Sequence, residues 1–162
     1  TGLVPIRVFG DAHLFGLYLY RIEVKSKDGE CSVELAAFDD SGEPGPMQRL
    51  HPRYYQGAMY PVTDACLAKR YFPNMTDHRR DRLDDLLCAA MQASRWGFED
   101  IEEAVLSVKA INPDDHYVPD TRQWVDREWS PLYAGRFEAD QSLCTRWLGD
   151  PPPVTRITRQ LT

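Results

Sequence analysis

The chain has 162 residues, a formal net charge of −6 and 43% hydrophobic residues. This length is enough to bury a core without disulfides, and we predict a single α+β domain over residues 1–162. The longest apolar runs are far shorter than the roughly 20 residues that cross a bilayer, so we expect no membrane partner. The acidic charge disfavours attraction of the whole surface to nucleic acid, although a local basic site remains open.

The four cysteines are widely and irregularly spaced, without a C-x-x-C pair. Such spacing is poor for a structural zinc site, and it predicts reduced thiols in a cytoplasmic protein. Two disulfides in a secreted protein are the alternative.

Residues 18–25 alternate between apolar and charged side chains, which predicts a strand with one buried face. Asp28-Gly29 is a preferred two-residue hairpin turn because glycine tolerates a positive φ. Folding about it pairs Ile22 with Leu35 and Val24 with Val33, so both strands place apolar side chains on the same face. We therefore predict a hairpin over Tyr18–Phe38.

Before and after this hairpin the pattern is less regular. Leu3–Phe9 is predicted to be an N-terminal strand of the same small antiparallel sheet. Residues 39–61 are rich in glycine and proline and are predicted to be a long loop. Residues 150–162, which include three consecutive prolines, are predicted to be a C-terminal tail that packs loosely.

Several α-helices are predicted to cover the sheet. A short one begins at Thr63 or Asp64 and ends before Pro73, and a stronger one runs from Thr76 or Asp77 to Gly97. The second has a stripe at helical spacing: Leu83, Leu86, Leu87, Ala90, Met91 and Ser94. Further helices are predicted over residues 99–111, 119–129 and 138–148.

The polar face of the hairpin carries Glu23 and Lys25, and Asp11 lies upstream at the end of a predicted strand. An acidic residue followed by Glu-x-Lys resembles the core motif of the PD-(D/E)xK nucleases. The resemblance implies that the two carboxylates hold Mg²⁺ and that the lysine positions or activates the attacking water. The alternative is a solvated strand face on which Lys25 relieves the repulsion between Glu23 and the cross-strand Glu34.

Residues 49–82 combine basic and aromatic side chains, a mixture able to hold phosphates while bases stack on the rings. The binding residues expected from this stretch are Arg53, Tyr54, Tyr55, Arg79, Arg80 and Arg82. The alternative places Tyr71 and Phe72 in the core and the arginines on a solvated helix face.

Trp124, Arg127 and Trp129 form a second candidate contact, because tryptophan and arginine are enriched in interface hot spots. Since the sequence contains no complete catalytic set, the preferred hypothesis is a non-enzymatic protein-interaction module without a cofactor, of the accessory, adaptor or immunity type. A Mg²⁺-dependent nuclease and a module that binds RNA or single-stranded DNA are the alternatives. On the preferred hypothesis, Trp124→Ala or Arg80→Glu weakens partner binding and leaves the melting temperature nearly unchanged.

Overall fold

The computed structural model describes residues 17–29, 32–36, 52–111, 117–118, 123–124 and 128–153. The strands are β1 Leu17–Ser26, β2 Ser32–Ala36, β3 Ile101–Ile111, β4 Tyr117–Val118, β5 Gln123–Trp124, β6 Ser130–Phe137 and β7 Leu143–Trp147. The helices are α1 Pro52–Tyr71 and α2 Asp77–Ala93. An antiparallel sheet in the order β2-β1-β3-β6-β7 and a separate β4-β5 pair make the fold α+β.

The predicted hairpin is confirmed. Ile22 pairs with Leu35 and Val24 with Val33, in the predicted register. The turn lies one residue earlier than expected, because Gly29 donates its N–H to the Ser26 carbonyl oxygen at 3.1 Å. Gly29 has a φ of 68°, which is the left-handed conformation that glycine adopts at little cost. The predicted strand Leu3–Phe9 and residues 30–31 and 37–38 of the hairpin lie outside the described residues.

The helix predicted over residues 99–111 is wrong, because Ile101–Ile111 is the central strand of the sheet. This strand pairs with β1 on one side and with β6 on the other, and the whole run from Ala104 to Val108 is buried. A strand buried on both faces lacks the clean apolar–polar alternation by which strands are recognised. Its apolar residues therefore also fitted a helical period.

The C-terminal third is extended instead of helical in its described parts. Leu143–Trp147 is strand β7, and Gln123–Trp124 pairs with Tyr117–Val118. Leu143 and Trp147 are four residues apart, a spacing that places two side chains on one face of a strand as well as of a helix. Before β7 the chain turns at Asp140, whose Oδ1 accepts hydrogen bonds from the Ser142 N–H and hydroxyl.

The described residues contain two α-helices, fewer than the several predicted. Helix α1 begins at Pro52, so the second half of the predicted loop 39–61 is helical, and Pro61 lies inside the helix. Residues 39–51 are outside the described ranges. Helix α2 begins at Asp77 as predicted and ends at Ala93, four residues before Gly97.

Both helices pack on one face of the sheet and enclose the core. Alternate residues of β1 are buried there: Tyr18, Tyr20, Ile22, Val24. The five apolar residues of the predicted α2 stripe are buried against them, whereas Ser94 follows the last residue of the helix. The helix approaches β6 closely at Gly135, where a Cβ would lie 3.0 Å from Leu87 Cδ1. The fold therefore places the middle of α2 directly above β6.

Residues 150–153 pack against this helical layer. The Arg70 Nη1 donates a hydrogen bond to the Pro151 carbonyl at 3.0 Å, and the Tyr18 hydroxyl donates one to the Pro152 carbonyl at 2.5 Å. Pro151 is buried. The first residues of the predicted loose tail are therefore attached to α1 and β1, and residues 154–162 lie outside the described ranges.

Candidate functional site

The nuclease-like residues are only partly described. Glu23 is half-buried on the polar face of β1, and its Oε1 lies 3.5 Å from the Arg21 Nη2. Lys25 is exposed and pairs in register with Glu103 of β3. Asp11 lies outside the described residues. Within the part of the chain that the structure describes, no group of three or more histidine, cysteine, aspartate or glutamate side chains is arranged to hold a metal ion.

Trp129 lies against two cations of the polar face of the sheet. The Arg21 guanidinium carbon is 4.8 Å from the centre of its ring, and the Lys109 Nζ is 4.7 Å from it. These contacts place the half-buried indole on the sheet and leave only part of it accessible. Trp124 lies in β5, and its side chain and Arg127 lie outside what the structure describes.

The basic stretch lies on α1 and the start of α2. The side chains of Arg53, Tyr54 and Tyr55 are outside the described residues, although their backbone is the first turn of α1. The Arg79 Nε lies 2.5 Å from the Asp64 Oδ2, an ion pair that joins the two helices. Arg82 is exposed.

Arg80 is held within the fold. Its Nε donates to the Tyr133 hydroxyl at 3.1 Å, and its Nη2 donates at 3.1 Å to both the carbonyl and the hydroxyl oxygen of Thr145. The hydrogen bond to Tyr133 is the main cause that raises the pKa of this guanidinium. Arg80 therefore ties the first turns of α2 to β6 and β7.

The buried Tyr133 hydroxyl is the centre of this network. It donates to the Asp84 Oδ1 at 2.7 Å and lies 2.8 Å from the Thr145 Oγ1. Burial raises the pKa of Tyr133, and the hydrogen bonds from Thr145 and Arg80 oppose that rise. The tyrosine ring meets the ring of Trp147 edge to face, with 4.8 Å between their centres. Together these groups connect the basic stretch to the C-terminal strands.

An open cleft of about 330 Å³ lies at the C-terminal end of α1 and is lined by Lys69, Arg70, Tyr71 and Asp150. The Lys69 Nζ is 3.4 Å from the Asp150 Oδ1 and 4.7 Å from the centre of the Trp147 ring. The positive charges of Lys69 and Arg70 also interact favourably with the partial negative charge at the C-terminal end of α1. The cleft thus presents two cations, one carboxylate and one aromatic ring.

Aromatic side chains of the basic stretch are exposed beside this cleft. Tyr71 is 42% exposed and Phe72, the next residue, is 59% exposed. The alternative that placed these two residues in the core is therefore wrong. Sequence reasoning did not single out Tyr133, Thr145 or Asp150, since their partners lie far away along the chain. Only Phe72 has a local sequence signal of exposure. It immediately precedes Pro73, which a helix does not continue through, and it follows the last residue of α1.

Cys66, Cys88 and Cys144 have free thiols, so the two-disulfide alternative is wrong. Cys66 is fully buried, and its burial raises the pKa of the thiol. Burial likewise raises the pKa of Tyr18. None of the described helices is long and apolar enough to cross a membrane.

These buried acids predict a pH dependence of stability. We expect the free energy of unfolding to fall as the pH rises above about 9, where cysteine and tyrosine side chains of the unfolded chain ionise first. The native state holds Cys66, Tyr18 and Tyr133 protonated and therefore binds more protons than the unfolded state. Urea denaturation between pH 7.5 and 10, each value about 0.5 unit apart, measures this slope. Tyr18→Phe should make the fall of unfolding free energy with pH less steep. A urea midpoint that stays constant or rises with pH in the unchanged chain would contradict the expectation.

No protein-family model, curated protein or solved structure matches this chain.

Proposed function

We propose that this chain is a non-enzymatic protein-interaction module that contacts its partner through the C-terminal end of α1. The α1 terminal surface consists of Lys69, Arg70, Tyr71, Phe72 and Asp150. The observation that supports this proposal most is the exposure of two consecutive aromatic side chains beside a charged cleft.

Single exposed aromatic rings are common on protein surfaces, whereas adjacent exposed apolar side chains are typical of interaction sites. A ring that moves from water into an interface contributes through the apolar area that it buries, and tyrosine and arginine are among the residues enriched in hot spots. The cleft adds the charged side chains of Lys69, Arg70 and Asp150. Lys69 and Asp150 pair with each other, and Arg70 also donates to the Pro151 carbonyl. Such a surface fits the apolar anchor and flanking polar groups of a protein partner.

The basic side chains of residues 49–82 favour a protein over a nucleic acid as partner. Phosphate binding needs several cations that face solvent. Here Arg79 pairs with Asp64, Arg80 is bound to Tyr133 and Thr145, and Arg70 donates to the Pro151 carbonyl. Arg70, Arg79 and Arg80 therefore take part in contacts within the fold, while Tyr71 and Phe72 remain exposed.

The nuclease alternative has less support. The Glu23 carboxylate lies 3.5 Å from the Arg21 guanidinium, whose positive charge disfavours the binding of a divalent cation to this carboxylate. Lys25 pairs in register with Glu103 at the turn end of the sheet. This arrangement supports the solvated strand face that was the alternative interpretation of Glu-x-Lys.

Affinity capture with matched variants tests the proposal. We expect Phe72→Ala to weaken binding to the captured partner by about tenfold or more, since a hot-spot aromatic contributes about 2 kcal/mol. Phe98→Ala is the control, because Phe98 is 41% exposed and packs edge to face on Phe137 elsewhere on the surface. The partner is identified by mass spectrometry, and its affinity for each variant is then measured with purified protein.

Two results would contradict the proposal. In the first, Phe72→Ala and Phe98→Ala bind the purified partner as tightly as the unchanged chain. In the second, the captured material disappears after nuclease treatment and the affinity falls steeply with salt. That outcome would favour the nucleic-acid alternative.

A further inference from the structure

Strand β7 is the last strand in the order of the five-stranded sheet. The Leu148 N–H donates to the Leu132 carbonyl at 2.8 Å, and the Glu138 N–H donates to the Ser142 carbonyl at 2.9 Å. The even-numbered residues along β7 therefore direct their N–H and C=O groups toward β6. Because successive residues of a strand direct their backbone groups to opposite sides, the N–H and C=O groups of Leu143, Thr145 and Trp147 point away from β6. No strand of the described residues pairs with this outer edge.

The Thr145 carbonyl lies at the middle of this edge, and Arg80 is bound to it. The Arg80 Nη2 lies 3.1 Å from the carbonyl oxygen, and the same nitrogen also donates to the Thr145 hydroxyl. A bulky, charged group therefore lies at the carbonyl to which a neighbouring strand would bond, and one of the two lone pairs of this carbonyl oxygen is already used. Charged side chains at an edge strand are one of the means by which proteins prevent pairing between sheets.

The edge is otherwise complementary to itself. Antiparallel pairing of two copies about Thr145 places Leu143 opposite the second copy's Trp147, an apolar pair. It places Arg146 opposite the second copy's Cys144, so no like charges face each other directly. Glu103 forms an ion pair with Arg146 and neutralises it within each copy.

We infer that the outer edge of β7 is a pairing surface for a second copy of this chain, and that Arg80 keeps this surface closed. In such a pair the two Thr145 residues would lie about one strand spacing apart, roughly 5 Å. The two Arg80 guanidinium groups would then be forced together at the twofold axis, and each would have to leave its carbonyl acceptor. This inference does not depend on the α1 terminal surface.

Light scattering after size-exclusion chromatography tests the inference. The unchanged chain is expected to elute with the mass of one copy, 18.6 kDa, and Arg80→Met with twice that mass. Adding Thr145→Pro to Arg80→Met should restore the mass of one copy, because proline removes the outward N–H of the edge. Arg80→Gln, which also removes the charge, is used if Arg80→Met loses its native circular dichroism.

Tyr133→Phe separates edge pairing from loss of stability. It removes the hydroxyl at the centre of the network and leaves Arg80 on the Thr145 carbonyl, so this variant should remain a single copy. The inference is overturned if the folded Arg80 variant has the mass of one copy. It is also overturned if Tyr133→Phe associates equally, or if Thr145→Pro fails to reverse the association. Association of the unchanged chain that Thr145→Pro abolishes would likewise show that Arg80 does not close the edge.

Discussion

Leu106→Ala is expected to lower the free energy of unfolding by about 2–5 kcal/mol, the range for truncating a fully buried leucine. Leu106 is 0% exposed at the centre of β3, where it pairs with Ile22 of β1 and Tyr133 of β6. Removing the Leu106 side chain leaves a cavity, because this side chain is packed between the sheet and the two helices. Urea denaturation followed by circular dichroism measures the change.

The same substitution separates the observed strand from the predicted helix. In a helix over residues 99–111 the apolar stripe is Ile101, Ala104, Val105 and Val108, and Leu106 lies off it. Leu148→Ala is the matched control, since Leu148 is 40% exposed and loses the same atoms. If Leu106→Ala costs no more than Leu148→Ala, the assignment of Leu106 to the core of the sheet is wrong.

Arg80→Glu is expected to cost about 2–4 kcal/mol of unfolding free energy. The substitution removes three charge-assisted hydrogen bonds and places a carboxylate near Asp84 and the Thr145 carbonyl. This expectation differs from that of the sequence analysis, in which Arg80 is a surface contact and its substitution leaves stability unchanged. The partial exposure of Arg80 keeps the expected cost below that of a fully buried charge.

Arg82→Glu is the control for this measurement. Arg82 lies two residues further along the same helix, is exposed, and undergoes the same change of charge. It should change the free energy of unfolding by no more than about 0.5 kcal/mol. Equal stabilities of the two variants would mean that the Arg80 network does not stabilise the fold.

The sequence predicted the hairpin and α2 because their signals are local. The Asp28-Gly29 turn and the alternation on both sides of it agree on one register, and the α2 stripe needs only its own helical spacing. Strand β3 was missed because a central strand is apolar on both faces, so its pattern fits two periods. The start of α1 was missed because Pro52 and Pro61 resemble loop residues, whereas the first stands at the beginning of the helix and the second lies within it.

The site could be predicted only in part, because its contacts join distant segments. Arg80 was identified as a basic residue, but its partners Tyr133 and Thr145 lie 53 and 65 residues away. The role of Arg70 likewise depends on Pro151, 81 residues further along. A charge pattern indicates where cations occur and does not show which of them the fold neutralises.

The proposed contact between the α1 terminal surface and a protein partner can be trapped covalently. Site-specific photo-crosslinking tests it most directly, with a benzophenone side chain in place of Phe72 and, as the matched control, in place of Phe98. Both positions hold exposed aromatic residues of similar kind, and they lie in different parts of the described fold. We expect irradiation of host extract to give one discrete, protease-sensitive adduct from position 72 and none from position 98. Adducts that form equally at both positions, or that form only with nucleic acid, would contradict a protein contact at this surface.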